Sequence, residues 1–148
     1  MGLLSSVSIS GSALTAQRLR LDVTASNIAN AESTSTPQGG PYRRERVVFT
    51  PLRPSQAGGM RLLSAGRDQH ALQGVQVSAI VQSPDPPREV YDPAHPDADD
   101  DGYVAYPNID LVTEMTDMLS ASRAYEANIT AIGVAKNMAQ RALDIGRL

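Results

Sequence analysis

The last third of the chain carries its most regular hydrophobic pattern. Alternate steps of four and three residues from Leu111 meet apolar side chains at eight of ten positions. This spacing repeats every seven residues and is typical of a helix that buries one stripe against another helix. No proline follows Asn108, so the pattern predicts one helix from about Asn108 to Arg147. Such a helix is roughly 50 Å long and cannot cover its own stripe.

The first segment, to about Ala31, predicts the helix that covers it. Apolar residues recur there at a spacing of seven, and the segment contains no proline. The repeating positions are Val7, Leu14, Leu21 and Ile28. The stretch "SNIANAEST" and the Pro and Gly residues after it favour turns, so this helix ends soon after Ala31. We expect the two ends of the chain to pair, either antiparallel or at a steep crossing angle.

The middle of the chain changes to a period of two. "GVQVSAIVQS" alternates apolar and polar residues, which indicates a half-buried strand, and "RERVVFTPL" and "MRLLS" indicate further strands. Six of the ten prolines lie between Ser83 and Pro107. A segment so rich in Pro and Asp buries little apolar surface, and we predict an extended connection on the surface.

These elements predict an α+β fold, in which long N- and C-terminal helices pair as a coiled-coil-like bundle and a small β-rich middle domain is inserted between them. The expected boundaries are residues 1–36 for the N-terminal helix, 37–107 for the middle domain with its connection, and 108–148 for the C-terminal helix. Periodicity alone leaves one alternative open, a compact α+β domain with both helices lying on the sheet.

Composition excludes several classes of chemistry. The 148 residues include no cysteine, so disulfides, thiolate metal sites and a cysteine nucleophile are excluded. Neither His70 nor His95 has a second ligand at metal spacing, and no serine or histidine lies in a recognisable nucleophile motif. We expect no enzyme activity and no cofactor. No apolar run approaches the roughly 20 residues of a membrane span. The N-terminal segment also lacks the basic and apolar regions of a cleaved signal peptide.

The net charge of −3 hides an uneven distribution. Six arginines lie between Gly40 and Arg67 against one acid, and ten acids lie between Pro84 and Asp117 against one arginine. A basic and an acidic face suit head-to-tail contact between copies or relatives better than nucleic-acid binding. The other interpretation is two solvated faces. The candidate residues are Arg43, Arg44 and Arg46 on the basic face, and Asp97, Asp99, Asp100 and Asp101 on the acidic one.

The stretch "DADDDG" matches the first half of a calcium loop. Asp97, Asp99, Asp101 and Gly102 fit, but the twelfth position, where a bidentate glutamate belongs, is Asn108. No helix is predicted to lead into the loop. A calcium-binding module is therefore the second interpretation. The first is an acidic hinge before the C-terminal helix, with Asn108 as its N-cap.

Two long stretches carry a family resemblance. "ASNIANAESTSTPQGGPYRRERVVF" and the stretch from "GYVAYPNIDL" to the C-terminus resemble the terminal signatures of the bacterial flagellar rod and hook proteins, and within them the proximal-rod type. The resemblance implies a structural subunit of the flagellar basal body that stacks into a helical tube, transmits torque and lines the export channel. It also implies export through the flagellar type III apparatus without a cleaved signal. The implied partners are other copies and neighbouring rod proteins.

The resemblance also implies an assembly interface, carried by polar motif residues beside the apolar seam. The polar motif residues are Asn27, Asn30, Asn108, Glu114, Arg123, Tyr125, Glu126 and Asn128. The seam residues are Leu14, Leu21, Ile28, Leu111, Met115, Met118, Ser122, Ile129 and Ile132. Polar groups beside a helix seam can fix its register. Two alternatives stay open: Glu114, Arg123 and Glu126 solvate the outer face, and Asn27 and Asn30 end the first helix.

Overall fold

Two long helices dominate the computed structural model, which describes residues 3–52 and 74–146. Helix α1 spans Leu3–Ala29 and helix α2 spans Leu111–Ile145. The end of α1 lies beside the start of α2, since the side chain of Asn27 contacts that of Glu114. The helices therefore run antiparallel, and the prediction of paired terminal helices is confirmed.

The first sheet pairs β1 (Glu45–Pro51) with β2 (Val75–Gln82) in antiparallel register. Val47 and Phe49 are half-buried on the inner face of β1. A bulge between Val48 and Phe49 leaves Ser78 as an extra residue on β2, because Val48 pairs with Ala79 and Phe49 with Val77. The predicted alternation therefore holds only in the first half of β2, and the residues after the bulge are exposed.

A second sheet occupies the segment that the sequence predicts as a plain extended connection. Strands β3 (Arg88–Tyr91) and β4 (Tyr103–Tyr106) form an antiparallel hairpin, in which Tyr91 pairs with Tyr103. The prediction was wrong here because it was based on the prolines and aspartates of the loop and not on the valines and tyrosines on either side of it, which favour strands. The predicted strand "MRLLS" lies outside the described residues.

Helix α1 is the central layer of the molecule. Among the described elements, α2 packs only against α1, and the β1–β2 sheet packs on another side of α1. This arrangement excludes the alternative in which both helices lie on the sheet. Small residues form the contact between the helices, since Ala16, Ala121 and Ala135 are buried and let the two backbones approach closely.

The two helices differ in length, 27 residues against 35. Beyond Ala139, every residue of α2 up to Gly146 is exposed. The end of α2 therefore extends past the cover that α1 provides.

Candidate assembly interface

A polar cluster with a buried centre joins the end of α1, the start of β1 and the first turns of α2. We call it the polar junction and define it by six residues, Arg20, Asn27, Tyr42, Arg44, Glu114 and Asp117. Asn27 is 1% exposed and lies at its centre. The Asn27 amide nitrogen donates to the Glu45 carbonyl at 2.8 Å and to Glu114 Oε2 at 3.0 Å.

The amide oxygen of Asn27 is equally well satisfied. Asn27 Oδ1 accepts from the backbone N–H of Glu45 at 2.9 Å and from the Tyr42 hydroxyl at 3.1 Å. The side chain thus uses both donors and both lone pairs, and it pairs with the Glu45 backbone as a neighbouring strand would. Asn27 thereby holds β1 against α1.

Glu114 carries the buried charge of the junction. Its side chain is 2% exposed, and Glu114 Oε1 accepts from the Arg44 guanidinium, with 2.6 Å between Oε1 and Arg44 Nε. The same guanidinium lies 3.7 Å from Asp117 Oδ2, and Arg20 donates to Asp117 Oδ1 at 2.7 Å. Two carboxylates and two guanidinium groups therefore alternate in a chain whose net charge is zero.

The junction fixes the entry of α2 relative to α1. A buried carboxylate without a partner is costly, so Glu114 tolerates burial only where Arg44 and Asn27 meet it. Sliding α2 by one helical turn would separate these groups. The junction therefore defines a single register for the two helices, as a buried asparagine does in a coiled coil.

Burial raises the pKa of the Tyr42 hydroxyl above its ordinary value of 10.0, and the hydrogen bond with Ser26 partly opposes this. The nearby carboxylates of Glu45 and Glu114 raise the pKa further. Tyr42 therefore stays protonated at neutral pH and keeps donating to Asn27.

Half of the predicted α2 stripe faces away from α1. The residues that line α1 recur every seven positions in two columns, Glu114, Ala121, Asn128 and Ala135 in one, and Met118, Tyr125, Ile132 and Ala139 in the other. The second column follows the predicted stripe. In the first column, Glu114 and Asn128 were expected beside the seam from the family resemblance, whereas Ala121 and Ala135 were not predicted, because the pattern favours large apolar residues. Leu111, Met115 and Ile129 are exposed, and Ser122 is half-buried beside the seam.

On α1 the predicted positions behave more uniformly. Leu14, Leu21 and Ile28 are half-buried, while Ala16, Val23 and Thr24 are buried. Asn30 ends the helix, because its side chain donates to the Ser26 carbonyl and accepts from Ser33.

Two apolar strips flank the seam of α2 and are exposed. The first flank, as we call it, consists of Val112, Met115, Leu119 and Ile129, which are 50–72% exposed. The second flank consists of Ala127, Ala131, Val134, Met138 and Ile145, also exposed. Between the flanks, opposite the seam, runs a polar ridge of Thr116, Arg123, Thr130, Asn137 and Asp144. A helix that is apolar on three sides has more to bury than one partner can cover.

The fold places the three arginines of the predicted basic face in different environments. Arg44 is used inside the polar junction, whereas Arg43 and Arg46 are exposed and take part in no ion pair of the described residues. Arg123 lies on the polar ridge, and Glu126 is exposed beside the first flank.

The acidic residues lie in the loop of the β3–β4 hairpin and not at a hinge directly before α2. Asp97 accepts from the Thr34 hydroxyl at 2.7 Å. Asp99 Oδ1 accepts from the backbone N–H groups of Asp101 and Tyr103 at 3.1 and 2.7 Å. Asp100 and Asp101 are exposed. The Asp99 carboxylate therefore orders the loop, and the Asp97 carboxylate holds it to the segment after α1.

The calcium interpretation finds no support in this geometry. Within residues 3–52 and 74–146, no group of three or more acidic or histidine side chains is placed to hold a metal ion. Asn108 is exposed and is not the N-cap of α2. Asp110 holds that position, since its carboxylate accepts from the Val112 N–H at 3.0 Å.

Neither described helix is long and apolar enough to span a membrane.

Sequence reasoning missed Arg20, Tyr42 and Asp117 as members of the junction. Their partners are distant in sequence, 97 positions in the case of Arg20 and Asp117. No local pattern joins such residues. No local signal distinguishes Arg20 from Arg18, which lies two residues earlier on the same helix.

Comparison with known proteins agrees with this architecture. A family described as "Flagella basal body rod protein" matches residues 8–38, and one described as "Flagellar basal body rod FlgEFG protein C-terminal" matches residues 100–145. The two matches cover most of α1 and all of α2, and they include four of the six residues of the polar junction.

Full-length relatives share the same name. A "Flagellar basal-body rod protein FlgC" of Borreliella burgdorferi is 48% identical over 149 residues, covering 98% of each chain. Those of Salmonella typhimurium and Bacillus subtilis are 43% and 42% identical, covering 99% and 96% of this chain and 100% and 97% of their own.

Paired terminal helices with uncovered apolar flanks, and terminal matches of this kind, define a structural protein of the flagellar rod class. Within that class, the chain belongs to the flagellar basal-body rod protein FlgC family. It is a structural subunit of the bacterial flagellar basal-body rod and not an enzyme.

Proposed function

We propose that this subunit assembles through α1 and α2 into a helical tube that transmits torque and lines the export channel. Its partners are other copies of the chain and neighbouring rod proteins. The observation that carries the proposal is the pair of exposed apolar flanks on α2. Contiguous apolar surface of this kind marks an interaction site.

The flanks supply the association energy. Burying a Leu, Ile, Met or Val side chain contributes about 1.5–3 kcal/mol when it starts fully exposed. The four residues of the first flank are 50–72% exposed, so each contributes a large part of that value on assembly. Contact through different faces of each subunit lets the structure grow without closing on itself.

The polar junction supports torque transmission. It ties α1, β1 and α2 together through hydrogen bonds and ion pairs that have one geometry. A load applied to the sheet region is therefore passed to both helices through Asn27 and Glu114.

The exposed charges add a second contact in this proposal. Arg43 and Arg46 are exposed, as are Asp100 and Asp101 in the hairpin loop, and none of the four takes part in an ion pair within residues 3–52 and 74–146. Charges of opposite sign on separate faces favour head-to-tail encounter between neighbours.

We also propose export through the flagellar type III apparatus without cleavage of the N-terminal segment. The absence of cysteine and tryptophan supports passage of an unfolded chain, because no disulfide and no bulky indole side chain can delay it. Mass spectrometry of the subunit in purified basal bodies tests the second part. An N-terminal peptide that begins at Met1 or Gly2 is expected, and a peptide that begins farther along would contradict it.

Substitutions on the first flank test the assembly proposal. Met115→Asp and Leu119→Asp place a charge on a surface that must become dry, so we expect normal secretion, no completed rod and no motility. Thr116→Asp, on the polar ridge one residue from Met115, is the matched control and should assemble. Normal rods in both flank variants would overturn the proposal.

A further inference from the structure

We propose that the first flank of α2 in one copy packs on the second flank of α2 in the next copy, with the two helices displaced along their axes by 15–16 residues. This inference rests on the proposed function, since it names the partner of the exposed flanks. At 1.5 Å per residue the displacement is about 23 Å.

Helix α2 is the partner because α1, over the side chains that the structure describes, has no comparable surface to offer. Helix α1 is covered by α2 on one side and by the β1–β2 sheet on another. Thr15, Arg18, Asp22 and Ala25 are exposed along its middle. A mainly polar strip of this kind does not match Leu119 or Ile129. The second flank of another α2 does match these residues.

Charge complementarity selects the register. Leu119 and Glu126 lie seven residues apart in one column of the first flank. Val134 and Arg141 lie seven residues apart in one column on the opposite side of α2. A displacement of 15 residues places Leu119 against Val134 and, at the same time, Glu126 against Arg141. Both charged residues are exposed, and neither takes part in an ion pair of the described residues.

Side-chain size agrees with the same register. A displacement of 16 residues in the adjacent columns places large residues against small ones, Met115 against Ala131 and Ser122 against Met138. It also places Ile129 against Ile145. Alternating large and small side chains across a contact lets two helices interdigitate without voids.

The direction of curvature follows from the position of the flanks. Each flank lies about 100° around the helix from the seam, so both are nearer to the polar ridge than to α1. Helices joined side by side at these positions bend toward the ridge. The tube then has α1 on its outside and the ridge on its inside. All five ridge residues, Thr116, Arg123, Thr130, Asn137 and Asp144, are polar and exposed, as a water-filled channel requires.

Charge reversal tests the register. Glu126→Arg and Arg141→Glu each create a like-charge contact, and we expect each to reduce the number of assembled rods about 5-fold. The double variant restores an opposite pair in every contact and should recover most of the loss. Arg123→Glu, on the ridge, is the control and should leave assembly intact. A double variant no better than the single ones would overturn the register.

Cross-linking tests the contact itself, and the absence of native cysteine makes the test clean. In Leu119→Cys/Val134→Cys, the two thiols of one chain lie on opposite sides of α2 and too far apart to bridge, so a disulfide must join two copies. Oxidised basal bodies from this variant should contain dimers and larger oligomers of the chain. Leu119→Cys alone and Thr130→Cys/Val134→Cys should not form them.

The two tests separate the inference from the proposed function. If the oxidised basal bodies contain this chain but no cross-linked oligomers, the contact between α2 helices is wrong while the rod role stands. If Met115→Asp and Leu119→Asp both assemble normally, the role of the flanks in assembly is itself wrong.

Discussion

Glu114 and Asn27 show what buried polar residues contribute to this protein. Each is 1% exposed, although each belongs to a residue type that is usually solvated. Asn27 satisfies its full hydrogen-bonding capacity, and Glu114 is met by Arg44 and Asn27. The interpretation that Glu114 solvates the outer helix face was therefore wrong, and so was a purely helix-ending role for Asn27.

Removing the buried carboxylate should destabilise the fold strongly. In Glu114→Ala, Arg44 loses its main partner and the Asn27 amide loses an acceptor, so we expect a loss of about 3 kcal/mol in the free energy of unfolding. Glu126→Ala, exposed on the same helix, should change it by less than about 0.5 kcal/mol. Urea unfolding followed by circular dichroism gives both values. Equal losses would mean that the junction contributes no special stability.

The raised pKa of Tyr42 predicts that the fold loses stability at alkaline pH. Its raised pKa means that, between pH 10.0 and the higher value in the fold, the unfolded chain binds fewer protons than the native one. The contribution of Tyr42 is complete below pH 10.0 and is lost as the pH rises through the higher pKa. Tyr42→Phe should therefore show a shallower decline above pH 10.0 in urea titrations at several pH values. An identical decline in both proteins would contradict this assignment.

At the level of elements, Asp110 and Asn108 are the two candidates for the N-cap of α2. Asp110 accepts from Val112 and from the Thr113 hydroxyl, whereas Asn108 is exposed. The Thr113 hydroxyl, followed by the Val112 N–H, lowers the pKa of Asp110, so this contribution is complete above pH 3.8 and is lost as the pH falls below it.

Substitution of each candidate cap tests this assignment. Asp110→Ala should speed amide hydrogen exchange in the first turn of α2, because the Val112 N–H loses its acceptor. Asn108→Ala should leave that exchange unchanged. Faster exchange in Asn108→Ala and not in Asp110→Ala would reassign the cap.

Two glycines should respond in opposite directions to the same substitution. Gly102 has φ of 81° in the hairpin loop, and an added Cβ would lie 3.0 Å from the Tyr91 ring. Gly102→Ala should therefore destabilise the fold by about 1–2 kcal/mol. Gly133 lies in α2 with open space around its Cα, so Gly133→Ala should stabilise it by about 0.5–1 kcal/mol. Thermal unfolding of both variants checks the sign, and a loss in both would contradict it.

The sequence predicted most elements and missed how they meet. Both helices and the strands β1 and β2 follow from local periodicity, which depends on neighbouring residues only. The prediction placed the seam of α2 partly wrong, because three sides of this helix are apolar. One of the two columns that line α1 consists of Glu114, Ala121, Asn128 and Ala135. The polar junction joins three separate stretches of the chain, and no local pattern encodes such contacts.

At the scale of the whole molecule, α1 is the central layer and α2 is its exposed partner. The polar junction fixes α2 at its start, and the uncovered end extends beyond α1. The polar junction thus holds the two helices together, and the flanks of α2 expose apolar surface. Both features suit a structural element of the flagellar rod. The relatives in the same family align with this chain over nearly their full length.

Electron cryomicroscopy of the assembled basal body tests the central claim most directly. We predict that each copy of this chain places α2 beside α2 of the next copy, with Leu119 near Val134 and the ridge toward the channel. A map in which the flanks of α2 face solvent, while the sheet and the hairpin alone join the subunits, would contradict the account.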